Sequence, residues 1–185
     1  MTEIRRLHWG CGDRTPSDWI NADFREGPGI DIGCNILDGL PLASDSIDYI
    51  FSEHALQQLE ILYVVDALRE LHRVLKPGGG LRLCLPDLDR AISAYQGGSR
   101  DYFWCWDWDT ISGNFITQIL DYNHTRTPFT YEFVEELLRK AGFIHVRRVE
   151  YRQTSSSYPE LVELDSWEGD SRKLESFYVE AFKQD

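Results

Sequence analysis

Cysteine is sparse and scattered. Cys11, Cys34, Cys84 and Cys105 include no CxxC pair, which argues against structural zinc and against a disulfide framework. Long apolar runs are missing, so no stretch reaches the length of a bilayer span and a membrane protein is not expected. The opening MTEIRRLHWG carries two arginines but no apolar h-region, so no secretory signal is read and a cytoplasmic location is expected. Positive charge is also short. Lys plus Arg number 19 against 31 Asp plus Glu, a net charge of −12. The longest basic runs are pairs, Arg5-Arg6, Arg139-Lys140 and Arg147-Arg148. A polyanion would be repelled, so neither nucleic acid nor an anionic membrane is an expected partner. Internal repeats and low-complexity linkers are absent. What is there is 185 residues, 42% apolar and 27% charged. That is one domain of ordinary size, 1–185, able to bury a core without staples.

The first half alternates strands and connections. Ile4 to Trp9, Trp19 to Phe24, Gly29 to Cys34, Ile47 to Ser52 and Leu81 to Leu85 read as strands, the last bracketed by a glycine triplet and Pro86. Between the fourth and fifth, Leu59, Leu62, Val65, Leu68, Leu71 and Leu75 recur on one helical face. Lys76-Pro77-Gly78-Gly79-Gly80 stops that helix. A second helix follows the N-cap Thr130, with acids at its positive end and Arg139-Lys140 at its negative end, and Gly142 closes it. Phe143 to Tyr151 and Glu175 to Phe182 are the last strands. The alternation predicts an open, mostly parallel α/β sheet. Two stretches break it: the aromatic segment from Gly97 to Thr127 and the acidic connection from Gln153 to Lys173. Both are expected at the sheet rim.

Chemistry-bearing residues fall at the predicted carboxyl ends of strands, where open α/β sheets bind ligands. The first strand ends in Gly10-Cys11-Gly12, a GxG that lets the backbone turn tightly and approach a ligand, and serves equally as a plain turn. A side chain at Gly10 is expected to block the ligand and leave the fold intact. The third glycine of a dinucleotide fingerprint is missing, and the loop runs on through Asp13, Arg14 and Asp18 instead of a helix. Asp23 ends the second strand and can accept from both ribose hydroxyls. Asn35, before Ile36, can accept from an adenine amino group, although an asparagine before Asp38-Gly39 also suits a turn. Ser52-Glu53-His54 ends the fourth strand and Pro86-Asp87-Leu88-Asp89 the fifth. Asp87 and Asp89 lack a third ligand for a metal.

The runs LHWGCG, WINADF, CNILDGLPLASDSIDYIFSEHAL, LRELHRVLKPGGGLRLCLPDLD, FTYEFVEELLRKAGF and VRRVEY together resemble a class I S-adenosylmethionine-dependent methyltransferase, within a small bacterial group with a shortened first helix. The resemblance covers nearly the whole chain, and the stretch from Leu40-Pro41 to the KPGG turn is its most specific part. It implies a Rossmann-like seven-stranded sheet in the order 3-2-1-4-5-7-6, the last strand antiparallel and the first crossover helix short or missing. It implies S-adenosyl-L-methionine as cofactor and S-adenosyl-L-homocysteine as product. Gly10, Cys11 and Gly12 would face the methionine part, Asp23 the ribose, Asn35 and Ile36 the adenine, and Ser52, Glu53 and His54 the sulfonium, with Phe24 also binding the cofactor. Asn35 stands where many relatives carry Asp, and Gln57-Gln58 where relatives often carry Glu-His.

On the acceptor side, Trp104, Trp106 and Trp108 are three of the chain's six tryptophans. An extended stretch would put the indoles on one face, as a lid that excludes water, stacks on the acceptor or packs a dimer. Asp87, Trp104, Trp106, Tyr122 and His124 are the candidate acceptor-binding residues, with His124 and His54 as candidate bases for a hydroxyl or amine. The expected activity is methyl transfer to a small molecule or glycan, by a monomer or homodimer. A non-catalytic binding protein on the same fold and a dinucleotide-dependent oxidoreductase are the alternatives. No Ser-His-Asp set points to hydrolysis.

Overall fold

The computed structural model describes residues 4–104, 108–122, 124–165 and 175–185. Its strands are β1 (Arg6–Trp9), β2 (Ile20–Asp23), β3 (Ile32–Gly33), β4 (Ile47–Glu53), β5 (Leu75–Pro86), β6 (Ile144–Val149) and β7 (Ser176–Phe182). They form one sheet in the order β3-β2-β1-β4-β5-β7-β6. The first five run parallel, and β7 runs antiparallel to both β5 and β6. This is the topology the resemblance implies. No helix separates β1 from β2, nor β2 from β3, so two crossovers are loops.

Helix α1 (Ile61–Val74) buries Val64, Ala67, Leu68, Leu71 and Val74. This stripe packs on one sheet face with Leu7, Ile50, Leu81, Leu83, Phe177 and Val179. Helix α4 (Tyr131–Lys140) adds Val134, Leu137 and Leu138 to the same core. Thr130 caps α4 by accepting from the Phe133 amide, as its sequence position predicts. The stop after α1 differs from expectation. The chain enters β5 at once, with Leu75 opposite Ile47, and residues 76–79 bulge out before Gly80 meets Tyr49. Gly78 sits in that bulge at φ +73°. Its amide donates to Lys183, and the Lys183 amide donates to Gly79, so the glycine run is held by β7's end rather than ending the strand.

The opposite sheet face carries no helix of the first two crossovers. Tyr49 and Phe51 of β4 point there and pack with Trp19, Leu161, Leu164 and Tyr158. Leu161 and Leu164 lie on the 3-10 segment Pro159–Asp165 of the β6–β7 connection. Where the sequence suggested a rim excursion, the described part of this connection is a strap folded across the sheet. Arg82 of β5 fastens it. The guanidinium is fully buried, donates to both Asp165 oxygens (2.8 Å from Nε) and to Glu180 (2.8 Å), and reaches the carbonyls of Gln153 and Glu150.

Two more helices fall where the sequence did not place them. Helix α2 (Leu88–Gln96) starts at the N-cap Asp87. Helix α3 (Ile111–Ile116) leads into a π-helical turn, Thr117–Tyr122, inside the aromatic segment that the sequence reading placed at the sheet rim without a helix. Its cap is Thr110, which accepts from the Gly113 amide.

Candidate functional site

The loop after β1 is pinned to β2. Gly10 and Cys11 amides both donate to the Ala22 carbonyl, at 2.8 and 3.1 Å, and the Gly12 amide donates to Asp23 Oδ2 at 2.9 Å. All three N–H groups are thus used within the protein. Gly10 and Gly12 both have positive φ, +70° and +57°. A Cβ on Gly10 would lie 2.2 Å from the Ala55 Cβ, whereas one on Gly12 would meet nothing nearer than the Arg25 guanidinium at 3.8 Å. Gly10 is therefore demanded by contact with the turn after β4. The expectation that a side chain there spares the fold is corrected by that clash.

Asp23 closes the site from β2. Its Oδ2 takes the Gly12 amide, and Oδ1 takes the Arg25 amide (3.0 Å) and Nε (3.2 Å). Burial works to raise its pKa, but the backbone donors of Arg25 and Gly12 and the Arg25 side chain reverse that and hold it below the usual carboxylate value. A carboxylate has about four acceptor positions, so these three donors leave room for a hydroxyl. Cys11 is buried, and burial pushes its thiol up to about 11, so it stays protonated. The Cys34 amide donates to the Asp23 carbonyl and brings the β3 end alongside. Asn35 then caps the turn Ile36–Asp38 by accepting from the Leu37 amide at 3.1 Å, with Ile36 buried beneath. Phe24 is 75% exposed next to Asp23.

From β4 come Ser52, Glu53 and His54. Ser52 Oγ lies 3.9 Å from the place a Gly10 Cβ would take. His54 adopts φ +50°, its amide donates to the Cys84 carbonyl, and its Nε2 shares a 2.8 Å hydrogen bond with Ser176 Oγ of β7. Gln57 and Gln58 both donate to the His54 carbonyl, at 2.8 and 2.9 Å. That gives the departing Gln-Gln pair its work: it holds the turn of β4 in place. Sequence reasoning gave Arg14 no role. Its guanidinium stands 3.4 Å from Glu53 and also donates to the Leu164 carbonyl of the strap. The signal was present in a lone cation two residues past the GxG.

The acceptor-side candidates are less convergent. Asp87 is buried and committed to the fold: Oδ1 accepts from the Arg90 amide and Oδ2 from Arg148 at 2.8 Å. Trp104 donates through Nε1 to Glu175 at 2.7 Å and through its amide to Gln118 at 3.0 Å. Gln118 also donates to Glu175, at 3.4 Å, so a buried carboxylate at the start of β7 latches the aromatic segment. Glu175 was read only as the first residue of the last strand, since nothing near it in sequence shows that its carboxylate meets Trp104 and Gln118. Burial, then the charges of Glu175 and Asp87, push Tyr102 above the usual tyrosine range. Trp108 is exposed and bonded to Thr117. His124 is exposed at φ +48°. Trp106 and the side chain of Tyr122 lie outside the described residues, so the shared indole face does too.

Residues 16–83 match the methyltransferase domain family. A malonyl-[acyl-carrier protein] O-methyltransferase of Methylococcus capsulatus is 32% identical over 127 residues, 69% of this chain and 38% of that protein. The chain thus spans well under half of the curated relative it matches. Solved structures share the fold at low identity. A S-adenosylmethionine-dependent methyltransferase of Thermotoga maritima, a possible histamine N-methyltransferase, superposes with a TM-score of 0.62 at 18% identity, over 100% of this chain and 84% of that one. A Haemonchus contortus phosphoethanolamine N-methyltransferase in complex with S-adenosyl-L-methionine gives 0.59 at 15% identity, over 100% and 49%. No helix among the described residues is long and apolar enough to cross a membrane.

Proposed function

We propose, on the premise of a chain with the fold of a class I S-adenosylmethionine-dependent methyltransferase, that it transfers a methyl group from S-adenosyl-L-methionine to a small-molecule or glycan acceptor at a hydroxyl or amine. The observation that carries this reading is the engagement of Gly12 with Asp23 across the ends of β1 and β2. It takes up the Gly12 amide, with the Gly10 and Cys11 amides already on Ala22, sets a carboxylate where a phosphate would be repelled, and has no helix N-terminus behind it. A neutral ribose suits the acceptor position left on Asp23 through one of its hydroxyls, and an open surface over Gly12 suits a chain lying across it. Those groups fit an adenosylated amino acid and disfavour a dinucleotide.

The cofactor supplies an activated methyl group on a sulfonium. The protein's share is alignment, exclusion of water, and removal of an acceptor proton where one must leave. His54 is held at the β4 end by Ser176, two residues from Ser52, which makes it a better-placed base than the exposed His124. Trp104, Gln118 and Glu175 form the acceptor rim, with Tyr102 in the field of Glu175 and Asp87. The acids of that rim favour an amine or a neutral hydroxyl over a carboxylate. Calorimetry tests the assignment. S-adenosyl-L-homocysteine should bind and NAD should not, and Asp23→Asn should weaken binding by about 1.5–3 kcal/mol through loss of a charged acceptor. Heat from NAD alone would turn the reading toward oxidoreduction.

A further inference from the structure

Strand pairing sets a row of polar side chains on the sheet face that the strap covers. Glu53 of β4 lies opposite Cys84 of β5, and Cys84 lies opposite Tyr178 of β7. Ser176 is two residues before Tyr178 on β7, so it shares that face. Cys84, Ser176 and Tyr178 are all buried. Away from water, each of their protons needs an acceptor inside the protein. The Cys84 thiol donates to Glu53 Oε1 at 3.9 Å, within the reach of a sulfur donor, and its sulfur accepts from the Ser176 and Tyr178 hydroxyls. Ser176 Oγ also lies 2.8 Å from His54 Nε2. A continuous hydrogen-bonded row thus joins His54 to Glu53 through Ser176 and Cys84.

The direction of each bond follows from where the protons are. A carboxylate only accepts, so the single thiol proton faces Glu53, whose charge Arg14 supports from 3.4 Å. Burial pushes the Cys84 thiol well above its ordinary range, so that proton is present at neutral pH. The sulfur then has lone pairs to offer, and Ser176 turns its one proton to them. Toward His54 Ser176 is left with a lone pair, which requires a proton on Nε2 and puts the imidazole lone pair on Nδ1. We propose that Ser176 and Cys84 are positioning residues for His54: anchored on Glu53, they fix the Nε2–H tautomer, so that His54 takes the acceptor proton at Nδ1. This rests on the methyl-transfer reading above, with His54 as the base. In that step the O–H or N–H pair stays on the acceptor atom that bonds the methyl, the C–S pair stays on the sulfur, and the proton goes to Nδ1. The bond from Nε2–H to Ser176 is the same before and after, so no hydroxyl has to turn as the proton moves.

Nitrogen NMR of the full chain at neutral pH tests this, because a ring nitrogen bearing hydrogen differs in shift from one bearing a lone pair. The His54 signals are those that vanish in His54→Gln. In the parent the Nε2–H tautomer should exceed the other by about tenfold or more. Cys84→Ala removes the acceptor of the Ser176 proton, which then turns to Nε2, so the two tautomers should come within about threefold of each other. Cys84→Ser still accepts from Ser176 and donates to Glu53, and should restore the excess. Ser176→Ala should speed solvent exchange of the Nε2 proton about tenfold or more. An Nδ1–H parent overturns the proposal. So does an unchanged tautomer ratio in Cys84→Ala, which would make Cys84 a space-filler, or unchanged exchange in Ser176→Ala. If Cys84→Ala fails to fold, the parent tautomer and Ser176→Ala decide. These readouts need neither acceptor nor turnover. A parent that gives no heat with S-adenosyl-L-homocysteine defeats the cofactor reading instead, and the use of His54 as base falls with it.

Discussion

Gly10 and His8 show how closely the loop after β1 is built into the core. Gly10→Val places a side chain on Ala55 at a backbone angle that disfavours it, so the variant should unfold at markedly lower temperature, and lose ligand binding for that reason. A parent-like melting temperature would return Gly10 to the ligand. His8 is buried against Phe51 and Trp19, at ring distances of 5.5 and 6.2 Å. Burial, reinforced by the Arg14 charge, lowers its pKa from 6.5 to about 4. The unfolded chain therefore takes up a proton below pH 6.5 that the folded chain refuses until about pH 4. This stability is full above 6.5 and drains away as pH falls, by about 3 kcal/mol at the limit. Urea titrations at pH 7.5 and 4.5 should show a smaller acid-induced loss in His8→Leu than in the parent.

The strap and the aromatic segment are the elements that sequence alone placed least well. Arg82→Leu leaves Asp165 and Glu180 buried without their cation and should cost roughly 3–5 kcal/mol in denaturant unfolding. A loss under about 1 kcal/mol would mean the strap is held by its apolar contacts alone. The strands and α1 and α4 were legible because their apolar periods are strong and their caps, Thr130 and Gly142, are local signals. The placement of Asp23 and of the Gly10–Gly12 loop at the ends of β2 and β1 was legible because the strand pattern marks those ends. The strap was not, since its packing depends on pairing Leu161 and Leu164 with residues more than a hundred positions earlier. Helix α2 could have been read from Asp87 with Leu88, Ala91, Ile92 and Tyr95 at helical spacing. The proline before it suggested only a strand end. Helix α3 hid among aromatics of weak helix preference. Arg14 was overlooked because its partner Glu53 is distant in sequence.

Taken entire, the molecule is an acidic protein whose candidate ligand side draws on both ends of the chain. Ligand binding should therefore be felt globally. At a free concentration of S-adenosyl-L-homocysteine one hundred times its Kd, unfolding should be opposed by about 2.7 kcal/mol, a rise in melting temperature that NAD does not reproduce. The two helix-free crossovers have a further effect during synthesis. Trp19, Tyr49 and Phe51 leave the ribosome early, while Leu161 and Leu164, which cover them, come more than a hundred residues later. At several residues per second the nascent sheet exposes an aromatic face for on the order of ten seconds. The growing chain, rather than the finished one, is then the species open to aggregation, and slowing translation before residue 165 should lower soluble yield without altering the folded product.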